Sequence, residues 1–265
     1  MTEKYSTIHI KTDGRGVATL TINRPEKHNA LNDVVIAELS EAARQLGADA
    51  SVRLVVLTAV GKSFCAGGDI DWFAGNINKS RKERIAQSAS LEQMLHDLDS
   101  LAKPLIGRIN GSAFGGGVGL ISVCDQAIGL DASKFGLTEV RLGLIPANIS
   151  PYVVRRIGGP NCRATMLSGA LFSGQRAAEI GLLTDVVAED ELDFAVGLII
   201  NDHLEAAPGA VAETKKLIDY VLSHSMEENR VYTAVALADA WEAEEGQQGI
   251  ITFLKKKLPP WRSDA

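Results

Sequence analysis

Two glycine-rich stretches are the residues best placed to do chemistry: Phe64-Cys65-Ala66-Gly67-Gly68-Asp69 and Asn110-Gly111-Ser112-Ala113-Phe114-Gly115-Gly116-Gly117. Each follows a short apolar run and opens a segment of helical character, where backbone N–H groups have no intrahelical partner. Glycine there lets the main chain approach another molecule without a Cβ in the way. Two such loops can each aim one N–H at a single oxygen, which stabilises negative charge developing on a carbonyl. Tight strand–helix packing accounts equally well for one glycine run, and less well for two in the same context. A dinucleotide fingerprint fits poorly. Leu120 stands where its last glycine belongs, and the run comes late in the chain.

The elements that must position these loops follow from apolar spacing. Ile8-His9-Ile10 and Val17 to Ile22 flank Asp13-Gly14-Arg15-Gly16, which reads as a hairpin. Asn32 or Asp33 caps a helix to about Leu46, with Val35, Leu39 and Ala42 or Ala43 on one face. Leu54 to Thr58 is a strand buried on both faces and feeds the first glycine loop; Pro104 to Ile109 feeds the second. Helix is expected from about Ser80 to Leu101 and from Val118 to Val123, then a strand at Gln126 to Leu130. From about residue 160 the pattern turns almost entirely helical, with short helices at Pro160 to Ser168 and Ser173 to Ile180. Longer ones follow from Glu189, broken near Pro208 and around residues 224–227. Strands early and helices late make an α/β fold with a helical C-terminal third. No fixed-period repeat stands out.

Bulk properties narrow the function classes. The 265 residues are 46% hydrophobic and 23% charged, with 27 basic against 33 acidic side chains. A formal charge of −6 argues against general nucleic-acid binding. The three cysteines, Cys65, Cys124 and Cys162, form no CxxC pair, so neither a metal site nor a disulfide framework is expected, and a reducing compartment fits. The polar start, Met1 to Tyr5, lacks an apolar signal core, and a cytoplasmic protein is expected.

The chain resembles the enoyl-CoA hydratase/isomerase (crotonase) superfamily from about Thr7 to Trp261. The matching stretches are Asn23 to Asn32, Phe64 to Ile70, Lys103-Pro104, Asn110-Gly111, Gly115-Gly116-Gly117, Cys124-Asp125 and Phe135 to Pro146. The resemblance implies a spiral of ββα units over residues 1–200 and a helical region over 201–265 that serves oligomerisation and the CoA pocket. It also implies a homotrimer or dimer of trimers, and a substrate that carries its own coenzyme A, with no separate cofactor and no metal.

By the same resemblance, the amides of Gly68 and Gly116 hold the thioester oxygen and Glu139 is the acid/base. The apolar neighbours Val140, Leu142, Leu144 and Ile145 agree with a raised pKa at Glu139. The bland alternative is a surface carboxylate paired with Arg141. Ala66, Gly67, Asp69, Ile70 and Gly115 surround the donors. Asp69 also suits a helix cap. Lys27 and His28 reach the CoA in relatives, or simply form a solvated loop. Phe253 and Lys256 reach it from a neighbouring subunit, or end a solvated helix. Trp72 and Phe73 line the acyl pocket or pack in the core.

One departure matters. Hydratases of the family mostly carry a second glutamate where this chain has Gly119. An isomerase moving a double bond needs one carboxylate only. Yet Leu137 to Pro146 and Ile149 to Val154 resemble methylglutaconyl-CoA hydratase-like members, which suggests hydration of a branched or carboxylated 2-enoyl-CoA. The rivals are a Δ3,Δ2-enoyl-CoA isomerase and a non-catalytic acyl-CoA- or RNA-binding relative.

Overall fold

A computed structural model describes residues 5–262. It begins with the expected hairpin, β1 (Ile8–Thr12) antiparallel to β2 (Val17–Ile22). Asp13 makes the turn by accepting from the amides of Arg15 and Val17. Gly16 sits at φ +82°, and a Cβ there would lie 2.5 Å from the Ser51 carbonyl oxygen, so the turn requires glycine. Asn32 caps α1 (Asp33–Ala48), whose Val35, Leu39, Ala42 and Ala43 are buried.

Three β-β-α units come next. The first is β3 (Leu54–Ala59), β4 (Ser63–Cys65), α2 (Ile70–Ile77) and α3 (Arg81–Asp99). The second is β5 (Leu105–Ile109), β6 (Ser112–Phe114) and α4 (Gly116–Ser122); the third is β7 (Gln126–Leu130), β8 (Lys134–Gly136) and α5 (Ser150–Met166). The first strand of each unit joins one six-stranded sheet and the second joins a smaller four-stranded sheet. The six-stranded sheet is parallel except for its opening hairpin. Every residue of β3 is buried, as its unbroken apolar run anticipates. Ser80 and Glu83 form a reciprocal capping box that starts α3.

The expectation of an almost purely helical chain from residue 160 is corrected at three points. Helix α5 begins at Ser150, with Pro151 in its first turn, and continues past a kink where Gly158 takes φ +74°. The Gly158-Gly159-Pro160 run that looks like a helix boundary bends a helix already under way. Two short strands, β9 (Phe172–Ser173) and β10 (Asp185–Val187), flank α6 (Gly174–Glu179). Pairing with β8 and with β7 makes them strands, since both are too short to show a period.

The remaining helices are α7 (Leu192–Leu204), α8 (Pro208–Ser223), α9 (Met226–Glu242) and α10 (Glu244–Leu254). Breaks fall at the expected places, with one more at Ala243. Among the described residues no helix is long and apolar enough to cross a membrane.

The Arg24–Leu31 segment is stapled to the β3–β4 connection by Asn29. Fully buried at φ +56°, Asn29 accepts from the Arg24 amide and donates to the carbonyls of Val60 and Ser63. Asn29→Ala leaves three half-buried backbone groups without their partner and is expected to cost about 2–4 kcal/mol in urea unfolding. A loss below about 0.5 kcal/mol would contradict the staple, since that is the scatter of ordinary surface changes.

Candidate active site

The two glycine loops meet backbone to backbone. A Cβ on Gly67 (φ +91°) would lie 3.0 Å from the Phe114 carbonyl oxygen, and one on Gly115 (φ +49°) would lie 4.0 Å from Gly67 Cα. A Cβ on Gly117 would lie 2.6 Å from the Cys65 carbonyl oxygen. Parallel pairing of β4 with β6 sets this approach, and glycine permits it.

In each loop the amide of the candidate donor is unused. Leu31 pairs with Gly68 as an isolated parallel bridge: its N–H donates to Gly67 O at 2.7 Å and its carbonyl accepts from Asp69 N at 2.9 Å. That pattern turns the N–H of Gly68 away from Leu31. On the other loop, Gly115 N donates to Gly136 O, and Gly116 opens α4, where a first-turn amide has no helical acceptor. Neither Gly68 N nor Gly116 N donates to any acceptor among the described residues. The carbonyl of each donor peptide is held from behind, Gly67 O by Leu31 N and Gly115 O by Gly119 N. The Leu31 side chain spaces the pair, since a Cβ on Gly116 would lie 2.8 Å from its Cδ1.

Strand β8 delivers Glu139 to the same place. It runs parallel to β6, with Phe114 opposite Gly136, and the chain then enters a 3-10 turn at Glu139–Leu142. Glu139 Oε1 lies 2.9 Å from where a Gly115 Cβ would stand. Its Oε2 is buried with no hydrogen-bond partner among the described residues. Burial pushes its pKa above the ordinary carboxylate range. Arg141, the alternative partner, donates instead to the Ser168 carbonyl.

The position of the second carboxylate is closed as well as empty. A Cβ on Gly119 would lie 2.5 Å from Ile149 Cγ2 and 3.7 Å from Leu95 Cδ2. Both side chains are buried.

The other residues singled out from the sequence divide into those facing the gap and those that build it. Phe73 faces it: a Cβ on Gly68 would lie 2.6 Å from the Phe73 ring. Trp72 stands edge-on to Phe73, but its indole N–H is committed to Asp33 of α1. Ile70 is 83% exposed beside the loop, and Ala66 is exposed with its amide on His28 O. Lys27 is exposed and paired with Asp71; His28 takes a left-handed conformation with Nδ1 at 3.2 Å from Ser63 Oγ. Asp69 is 3% exposed, with its carboxylate divided between the α2 cap and Arg24, so it holds the loop from within. Cys65 is buried and its thiol is pushed up to about 12, which removes it as a nucleophile.

Phe253 and Lys256 lie elsewhere. Helix α10 packs on Trp261, whose carbonyl accepts from Arg53 at the start of β3, whereas the glycine loop lies past the other end of that strand. Six strand residues span about 20 Å, so the α10 anchor at Trp261 is well removed from the glycine loops. A cavity of about 340 Å³ between α4, α5 and α8 is also remote, and its Arg155, Arg156 and Lys215 are bonded to Asp99, to carbonyls and to Asp125.

Leu31 and Ile149 are the site residues whose roles the sequence did not reveal. Both are apolar residues with no chemical signature, and only the contacts with Gly116 and Gly119 expose what they do.

Comparison with known proteins agrees with this geometry. The family model for enoyl-CoA hydratase/isomerase matches residues 12–264. An enoyl-CoA hydratase of Alternaria alternata is 32% identical over 90% of this chain and 78% of its own length. The crystal structure of an enoyl-CoA hydratase from Shewanella pealeana superposes with a TM-score of 0.94 at 33% identity, covering 97% of each chain. AtuE of Pseudomonas aeruginosa superposes with a TM-score of 0.94 at 32% identity, over 97% of this chain and all of that one. This chain therefore belongs to the enoyl-CoA hydratase/isomerase family.

Proposed function

We propose that the enzyme adds water across the C2–C3 double bond of a 2-enoyl-CoA thioester, with the thioester oxygen held by the amides of Gly68 and Gly116. The observation that carries this is the partnerless, buried carboxylate oxygen of Glu139 beside two amides that also lack partners. Glu139 takes a proton from water as the water oxygen bonds to C3. The double-bond electrons move onto the thioester oxygen, where the two amides hold the charge. The same carboxyl then gives its proton to C2. Each amide is worth about 3–4 kcal/mol at the transition state.

Phe73, Leu31 and Ile149 line the surroundings with apolar surface, which suits a branched acyl chain. A free carboxylate on that chain would take over the positioning of water from the missing second glutamate. The resemblance to methylglutaconyl-type enzymes favours this substrate class. The second reading, Δ3,Δ2-isomerisation, is favoured by the closed space at Gly119, because moving a proton from C2 to C4 requires one carboxylate. An unpaired acid in the gap speaks against a silent binding protein.

A homotrimer or dimer of trimers completes the proposal. Helices α8 and α10 bury no residue and α9 only Asn229, while Leu222, Val231, Leu237, Trp241 and Phe253 are exposed. Packing them against a neighbour would bring Phe253 and Lys256 to that neighbour's CoA, with Lys27 and His28 on the site's own side. A cytoplasmic setting is consistent with three free cysteines, all buried.

The direct test is a turnover screen over linear, branched and carboxylated enoyl-CoAs. A 3-hydroxyacyl product is expected, with rates highest for branched or carboxylated chains; a shifted double bond without hydroxylation would identify the isomerase. Glu139→Gln is expected to lower kcat about 10³-fold, the middle of the range for general acid–base residues. The wild-type kcat/KM should fall on the acid side at a pH above the ordinary glutamate range.

Stability should move oppositely. A carboxyl whose folded pKa is raised weakens the fold once ionised, so stability is lost as pH rises through that pKa. Glu139→Gln should therefore match or exceed wild-type thermal stability at pH 8 and lose that advantage at pH 4. A Gln variant less stable at pH 8 would contradict an unpaired charge.

Gly119→Ala is expected to cost about 1–3 kcal/mol by overpacking Ile149. An unchanged denaturation midpoint would mean that Ile149 yields and the second carboxylate's place is open.

A further inference from the structure

Gly68 has no side chain through which its amide can be aimed, so its direction and polarity come from the groups that hold its peptide. The Gly67 carbonyl and the Gly68 N–H belong to one peptide unit, and that carbonyl accepts from Leu31 N at 2.7 Å. The Leu31 N–H in turn shares a peptide with the Ala30 carbonyl, which accepts from Arg24 Nη1 at 2.6 Å. In a trans peptide the C=O and N–H point in opposite directions. The guanidinium, the Ala30–Leu31 peptide, the Gly67–Gly68 peptide and the gap therefore stand in line, each dipole aligned with the next.

The second arm of the same guanidinium fixes the other side of Gly68. Arg24 Nη2 donates to Asp69 Oδ2 at 2.9 Å, and the side chains are 13% and 4% exposed. Asp69 Oδ1 accepts from Asp71 N and its own amide donates to Leu31 O. Burial opposes the Asp69 charge, but Arg24 and the helix cap hold its pKa below the ordinary range. A buried ion pair gives little net stability over apolar packing. The contribution of this one is direction.

We propose that Arg24 is a positioning residue of the oxyanion hole, acting through two aligned peptides to orient the Gly68 N–H and polarise it toward the substrate oxygen. The proposal rests on Gly68 being a donor to the thioester. Hydrogen bonds in a chain strengthen one another by about 10–30% each. A full positive charge at the far end makes the last N–H a better donor to an oxyanion than to a neutral carbonyl. The stronger donor polarises the bound carbonyl and stabilises the transition-state oxyanion more, so kcat changes more than KM.

The test is isotope-edited infrared difference spectroscopy of cinnamoyl-CoA labelled with ¹³C at the thioester carbonyl, bound to the intact enzyme. The wild type is expected to lower the carbonyl stretching frequency relative to free ligand. Arg24→Gln should lose about half of that shift and about tenfold in kcat, with KM within about twofold, since removing a whole donor costs 10²–10³. Arg24→Lys keeps the charge but cannot fork to both acceptors, and should fall between the two; it also serves if the Gln variant does not fold. A full wild-type shift in either variant overturns the proposal and leaves the oxyanion hole standing. No shift in the wild type removes the oxyanion hole itself, and the proposal with it.

Discussion

Two backbone N–H groups without acceptors among the described residues, on glycine loops that pack backbone to backbone, are the constraint on which the rest of this structure depends. Leaving a buried or half-buried donor unpaired costs about as much as a lost hydrogen bond. The fold offsets the cost by pairing groups on either side of each donor. The carbonyls on the far side of both donor peptides are occupied, and so are the amides of Asp69 and Gly115 on the flanking residues. The amides of Gly68 and Gly116 cannot relieve themselves by rotation without breaking those bonds. The glycines contribute by absence: a Cβ at 67, 115 or 117 would push one loop off the other.

The β-β-α units explain why two amides from distant sequence positions meet. The second strands β4, β6 and β8 lie side by side, so the chain leaving each of them emerges at one edge of the smaller sheet. Gly67-Gly68 lies just beyond the end of β4, Gly115-Gly116 just beyond β6, and Glu139 just beyond β8. Leu31 arrives from outside these units and touches both donors, with its backbone on one and its side chain on the other. The side chains around them then decide how much space is left. Ile149 and Leu95 fill the space beside Gly119, and the proposed chemistry therefore runs through one carboxyl.

Much of this was legible in the chain. The long buried strands, the capped helices α1 and α3, and the two glycine runs carry strong local signals, because caps, unbroken apolar runs and glycine pairs are made by residues adjacent in sequence. Glu139 was legible as a candidate, but burial beside the Gly115 loop raises its pKa, because the neighbours Leu142, Leu144 and Ile145 that suggested an apolar setting are exposed. The three-residue strands β4, β6 and β8 were not legible, since partners far along the chain define them. Helix α5 was concealed by Gly158 and Pro160, which bend it without ending it. Of the neighbouring aromatics Trp72 and Phe73, periodicity could not tell which faces the glycines. The packing against Gly68 and the Asp33 bond of Trp72 decide for Phe73. Asp69 was legible as a cap, but its bond to Arg24 joins residues 45 apart and no local pattern announces it.

The proposed chemistry, a single acid beside two main-chain donors, concentrates the reaction into one small volume. Its charge state, its burial and the aim of the amides have to agree. The most direct measurement is a crystal structure of the Glu139→Gln enzyme with an unreacted 2-enoyl-CoA bound. The thioester oxygen is expected within about 2.7–3.1 Å of both the Gly68 and Gly116 nitrogens, with the side chain of residue 139 beside C2 and C3. A thioester oxygen bonded to neither amide, or bound with C2 and C3 remote from residue 139, would contradict the assignment.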